Sequence, residues 1–116
     1  MNNINAIGRL VAAPEMHFTT TGKSLTRMRI AIPRPGEDAG AVFIDVVSWD
    51  TLADACAEHL VKGRQVAVWG RLEQREWTGD SGTKFSRIEI IANQVDFLAM
   101  PKAKDDAEPQ ASEQAS

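Results

Sequence analysis

A small all-β barrel of five strands, with one helix inserted between the third and the fourth, is the fold this sequence predicts, and three observations predict it. Five separate segments are rich in β-branched and aromatic residues and are bounded by turn residues. One segment alone carries the helical period, with Leu52, Cys56 and Leu60 recurring at i, i+4 and i+8. The 116 residues, 43% apolar and 25% charged, amount to a single domain of ordinary globular composition with no internal repeat.

The first strand runs from Asn5 to Val11 and stops at Pro14, which has no N–H to give a ladder. Thr21-Gly22-Lys23 turns the chain into the second, Leu25 to Ile32, and Pro33-Arg34-Pro35-Gly36 opens a loop before the third, Val42 to Trp49. The helix follows, with Asp50 placed to cap its start and Gly63 to close its end in a left-handed conformation, about three turns later. Val66 to Trp77 and Phe85 to Phe97 are the last two strands, joined across Thr78-Gly79-Asp80-Ser81-Gly82 as a hairpin. This order of elements is that of the OB-fold, a small Greek-key barrel that binds oligonucleotides and oligosaccharides. A mixed sandwich with one stray helix is also open at this point. After Leu98 there is no aromatic or branched aliphatic residue, so the chain divides into a folded domain, residues 1–99, and a disordered acidic tail, residues 100–116.

Composition excludes several function classes. One cysteine, Cys56, permits no internal disulfide, and with only His17 and His59 beside it there is no usual zinc-ligand set, so no metal or cofactor is expected. Cys56 reads as a small buried hydrophobe, and His17, beside Phe18, as a surface or loop residue. No run approaches the ~18–20 apolar residues that a membrane span needs, and Met1-Asn2-Asn3-Ile4 lacks an export signal's basic and apolar regions, which predicts a cytoplasmic protein. No nucleophile–base pair, paired-carboxylate arrangement or phosphate-cradling glycine loop is present, so an enzyme is not expected.

The net charge of −3 conceals an uneven distribution: residues 1–100 hold 11 bases and 12 acids, and residues 101–116 two bases and four acids. Position must decide, and strand side chains alternate faces. In the third strand Val42, Ile44 and Val46 point to the core, which leaves Phe43, Asp45, Val47 and Trp49 outward. In the fourth, Val66, Val68 and Leu72 point inward with Gly70 leaving room, and Ala67, Trp69, Arg71, Glu73, Arg75 and Trp77 point outward. Rings interleaved with arginines on an outward face suit single-stranded nucleic acid: unpaired bases stack on the rings at ~1–3 kcal/mol each, and guanidinium groups hold phosphates. Trp77 is the strongest stacking candidate, then Phe43 and Trp49, with Phe85 extending the surface from the return strand. Arg27 and Arg29 share one strand face and Arg71 and Arg75 another, with Arg9, Arg34, Lys62, Lys84 and Arg87 around them. Asp45, Glu73 and Glu76 could pair with Arg71 or Arg75 and blunt the positive potential. Trp69, mid-strand and far from the loops, is expected to pack against another subunit.

Several short stretches carry a resemblance when taken in order. They are Gly8-Arg9-Leu10, Pro14-Glu15, Thr21-Gly22, Val46-Val47-Ser48-Trp49 into Leu52-Ala53, Leu60-Val61-Lys62-Gly63, Gly70 through Trp77, and Gly82-Thr83-Lys84-Phe85. Over residues 1–98 they resemble the bacterial single-stranded-DNA-binding protein family. The resemblance implies an OB-fold, sequence-independent binding of single-stranded DNA in replication, repair and recombination, a homotetramer, and stacking aromatics at Phe43, Trp49 and Trp77. Family members often carry lysine where this chain has Thr51 and Glu76, which implies weaker binding or a shifted strand path. The Pro33–Ala41 loop is short and lacks an aromatic that some relatives place near its start. The tail lacks the family's hydrophobic Pro-Phe tip, so an accessory protein that does not recruit repair enzymes is expected. Two rivals stay open: an OB-fold binder of RNA, and a primosome-type module whose aromatic faces serve protein contacts.

Overall fold

Each of the five predicted strands forms within one residue of where the alternation places it. The structure, a computed structural model, describes residues 1–36 and 38–98; the tail expected over 100–116, and residue 99 of the predicted domain, lie outside the described residues. The elements are β1 (Ile4–Leu10), β2 (Glu15–Phe18), β3 (Ser24–Pro33), β4 (Ala41–Trp49), α1 (Asp50–His59), β5 (Gln65–Thr78) and β6 (Lys84–Phe97). They form one sheet in the order β1-β5-β6-β4-β3-β2, antiparallel except for the parallel pair β4–β6. The sheet closes on itself where β1 also meets β3, through Arg9↔Ala31 and Leu10↔Ile30. Leu10 is further held by its N–H to the Arg64 carbonyl at 3.0 Å and by its own carbonyl, which accepts from Gly63 N–H at 2.9 Å. This is the OB-fold.

The short strand β2 is the first departure from the sequence reading. Pro14 does end β1, but the chain rejoins the sheet at once, because β3 is ten residues long and β1 pairs only with its far half. Glu15–Phe18 covers the near half, from Glu15↔Arg27 to Phe18↔Ser24, so His17 is an exposed strand residue and not a loop residue. The return turn uses Gly22 at φ +89°, a conformation open to glycine at no steric penalty.

The helix forms as expected, but its ends do not. Asp50 sits at φ 57° and its carboxylate makes no cap; the capping position is held by Trp49 without a side-chain bond. Gly63 is left-handed, at φ +88°, but in the turn beyond the helix, where its N–H donates to the Leu10 carbonyl. Ala53, Cys56 and Leu60 are buried, and α1 is fastened to the barrel by the buried Thr26 hydroxyl, which donates to the Ala53 carbonyl at 2.8 Å. Burial pushes the Cys56 thiol above its ordinary pKa.

Inside the barrel, Leu10, Met28, Ile30, Val46, Val66, Val68, Ile90, Ala92 and Val95 pack against Cys56 and Leu60. Gly70 is required there: a Cβ would stand 2.1 Å from the Ile91 carbonyl oxygen. A bulge sits beside it, since Trp69 pairs with Gln94 and Gly70 with Ala92, leaving Asn93 over. Four side chains differ in burial from what their face predicts. Val47 and Ala67, expected outward, are buried, while Val42 and Leu72, expected inward, are exposed. Val47 is flanked on its face by Arg27 and Ile91 across the ladders and by Trp49 on its own strand, which together cover it. Leu72 lies opposite Ile90, level with Val46 of β4, but two residues beyond Gly70, where the β1–β5 ladder ends. There Asn2 extends the β1–β5 ladder with its side chain, donating to the Leu72 carbonyl and accepting from the Leu72 N–H, both at 2.9 Å.

Candidate nucleic-acid interface

Cross-strand register defines one continuous outer face over β3, β4, β6 and β5. Arg27 and Arg29 pair with Val47 and Asp45; Asp45 and Val47 pair with Glu89 and Ile91; Arg71, Glu73, Arg75 and Trp77 pair with Ile91, Glu89, Arg87 and Phe85. Directly opposed strand residues point the same way, so all of these share the outside of the barrel.

The four candidate rings stand on that face. Phe43 is 52% exposed, Trp49 38%, Trp77 37% and Phe85 45%. Trp77 and Phe85 are cross-strand neighbours and stack, with centroids 5.5 Å apart and planes 19° from parallel. Arg75 places its guanidinium carbon 4.2 Å from the Trp77 ring centroid, and Arg29 places its own 5.6 Å from that of Phe43. Because β4 and β6 run parallel, Phe43 and Arg87 each lie two residues before the Asp45–Glu89 pair, and so meet at the same end of the face. Trp49 stands at the other end, six residues and ~20 Å along the strand from Phe43.

Between the two aromatic ends lies a lattice of charge. Glu89, whose side chain is 4% exposed, takes both Arg27 (2.5 Å) and Arg75 (3.1 Å) on one carboxylate oxygen. Asp45 takes Arg29 at 3.3 Å on one oxygen and Arg87 at 3.0 Å on the other. Arg71 is held by Glu73 at 3.1 Å. The lattice offsets three repulsions that the register would otherwise impose: Arg75 lies opposite Arg87, and Glu89 beside both Asp45 and Glu73. Five arginines against three carboxylates leave the face net positive.

The expected pairings are therefore corrected in part. Glu73 does pair with Arg71, but Asp45 turns to Arg29 and Arg87, and Glu76 joins none of the ion pairs among the described residues. Of the remaining predicted cations, Lys84 starts β6 next to Phe85, opposite Thr78. Arg9 is exposed on β1, opposite Ala31 and thus in one row with Phe43, and donates to the Gly63 carbonyl at 3.3 Å. Arg34 and Lys62 are exposed in the β3–β4 and α1–β5 connections, and no hydrogen bond or ion pair of their side chains joins them to the lattice. Sequence reasoning missed Glu89 altogether and left Arg87 in the surroundings. The alternation that turned Phe85 outward turns both outward too, so the signal was there in the last strand.

The remaining outer surface has a different character. Across β1 and β5 the outward residues Ile7, Ala67 and Trp69 line an apolar groove with Asn5, Asp96 and Leu98. Among the described residues no three His, Cys, Asp or Glu side chains gather as a metal site, and no helix is long and apolar enough to cross a membrane.

Comparison with known proteins places this geometry in a family. The pattern of the Single-strand binding protein family matches residues 1–98. The chain is 35% identical over 102 residues to the single-stranded DNA-binding protein of Caldanaerobacter subterraneus, an alignment covering 84% of this chain and 68% of that one. It is 40% identical over 101 residues to the protein of the same name from Corynebacterium glutamicum, covering 80% of this chain but 45% of that one. With the Thermotoga maritima protein, also so named, the identity is 35% over 84% of this chain and 73% of the other. A barrel of this topology, matched over nearly all of its described length, belongs to the single-strand binding protein family.

Proposed function

We propose that this protein binds single-stranded DNA without regard to sequence and coats it during replication, repair and recombination. Bases stack on Phe43, Trp49, Trp77 and Phe85, and phosphates contact Arg27, Arg29, Arg71 and Arg75, with Arg9, Arg34, Lys62 and Lys84 along the approaches. The observation that carries this reading is the exposure of all four rings on one face seeded with guanidinium groups. Such rings are sequence-tolerant because every base has a π-face, and a duplex, whose bases already stack on each other, offers them nothing. The family's proteins bind DNA without catalysing a reaction on it, and this chain is a binding protein of the same kind. Single-stranded DNA in a bacterial cell lies in the nucleoid, and the cytoplasm is the proposed location.

A homotetramer is part of the proposal. It is supported by the apolar groove across β1 and β5, which carries Ile7 (52% exposed) and Trp69 away from the charged lattice.

Titration with oligo-dT tests the reading, followed by quenching of the three tryptophans and run beside duplex and RNA competitors of equal length at two salt concentrations. Strong quenching by oligo-dT, weak competition by duplex, and a log affinity falling by about 0.7 per phosphate neutralised for each decade of salt are expected. Preference for RNA would move the function to a binder that reads the 2′-hydroxyl. Absence of quenching would remove the rings from the interface.

A further inference from the structure

The two inner carboxylates of the lattice differ in what they can release. Glu89 is almost wholly sealed, and a desolvated charge keeps its partners, so Arg27 and Arg75 hold their bonds to it and meet a phosphate only through the N–H groups it leaves free. Asp45 is 15% exposed, and the side chains it holds, Arg29 and Arg87, are 46% and 50% exposed. Both of its oxygens are engaged, one by each arginine. A carboxylate and a phosphate accept from the same guanidinium N–H groups, so the Nη1 donor that each arginine gives Asp45 is one a backbone phosphate would use. The position is also the right one, since Arg29 lies against the Phe43 ring and Arg87 meets Phe43 at the same end of the face.

We propose that Asp45 is a built-in competitor for phosphate on the Arg29–Arg87 pair, an affinity-setting residue that holds binding below what the arginines of this face could deliver. This rests on the single-stranded DNA reading above. Arginines already neutralised from within neutralise fewer phosphates of the strand, so binding displaces fewer of the cations condensed on the DNA and depends less on salt than the number of exposed arginines implies. Removing the charge while keeping the shape hands both guanidinium groups to the DNA.

The experiment compares wild type, Asp45→Asn, Asp45→Glu and Asp54→Asn in oligo-dT titrations over a series of salt concentrations. Asp54 is exposed on α1, away from the lattice, and controls for the gain of one unit of net charge. The proposal expects Asp45→Asn to bind tighter at low salt on the order of fivefold. Its salt slope should be steeper by about 0.7 for each phosphate contact released. Asp45→Glu should return toward wild type, and Asp54→Asn should match wild type in both readouts. A wild type that does not bind oligo-dT defeats the functional reading itself. A wild type that binds, with Asp45→Asn equal to it or weaker, or with Asp54→Asn showing the same gain, overturns the role of Asp45 alone. Circular dichroism melts accompany each variant. If Asp45→Asn does not fold, Asp45→Ser takes its place, and failure of both makes the carboxylate a fold-holding group and overturns the proposal.

Discussion

Trp77 is in contact with Phe85 and with the Arg75 guanidinium, yet more than a third of its surface faces water. Removing the ring therefore takes away a platform and little of the core. Trp77→Ala should weaken oligo-dT binding by about 1–3 kcal/mol while leaving the melting temperature within a few degrees of wild type. Glu89 predicts the opposite pattern. Glu89→Gln leaves Arg27 and Arg75 sharing a neutral amide in a sealed position, and should lower stability by about 1–3 kcal/mol in a denaturant titration. At this scale the sequence was readable in one respect only. Alternation says which side of a sheet a residue takes, so Phe43, Trp49 and Trp77 were legible; it does not say whether that side is covered, so Val47 and Leu72 were not. Arg75 reaches Glu89 across the β5–β6 hairpin, but the pairing of Arg27 on the same carboxylate was out of reach for another reason: it depends on β4 and β6 lying side by side in parallel, a contact between segments some forty residues apart that no local pattern encodes.

At the scale of elements, β-branched runs and turn residues located every strand except β2, whose four residues carry no period of their own. Its existence follows from the length of β3, which leaves ladder groups unpaired unless a second segment covers them. The helix was legible from Leu52, Cys56 and Leu60, but its caps were not, because Asp50 is drawn into a left-handed conformation at the end of β4 and its carboxylate leaves the capping position. That same helix shields the one thiol of the chain. Cys56 is fully buried and its pKa is raised, so at pH 8 iodoacetamide should label the folded protein far more slowly than the urea-unfolded chain, as read by mass spectrometry.

For the molecule as a whole, the charged lattice and the apolar groove lie on different parts of the barrel's outer surface, so assembly and DNA binding should separate under mutation. Ile7→Lys should shift the mass measured by light scattering toward smaller species while each subunit still quenches with oligo-dT. The architecture was legible because element order alone narrows a five-stranded chain with one helix to few closed topologies. The closure, however, is uneven. Where β5 and β6 share a long ladder, β1 and β3 share two residue pairs, supplemented by the Val11 N–H to the Arg29 carbonyl at 3.0 Å. A cylinder opens first along its weakest stave, so brief unzipping should begin there, and deuterium should enter the amide of Val11 well before those of Ile90 and Val68.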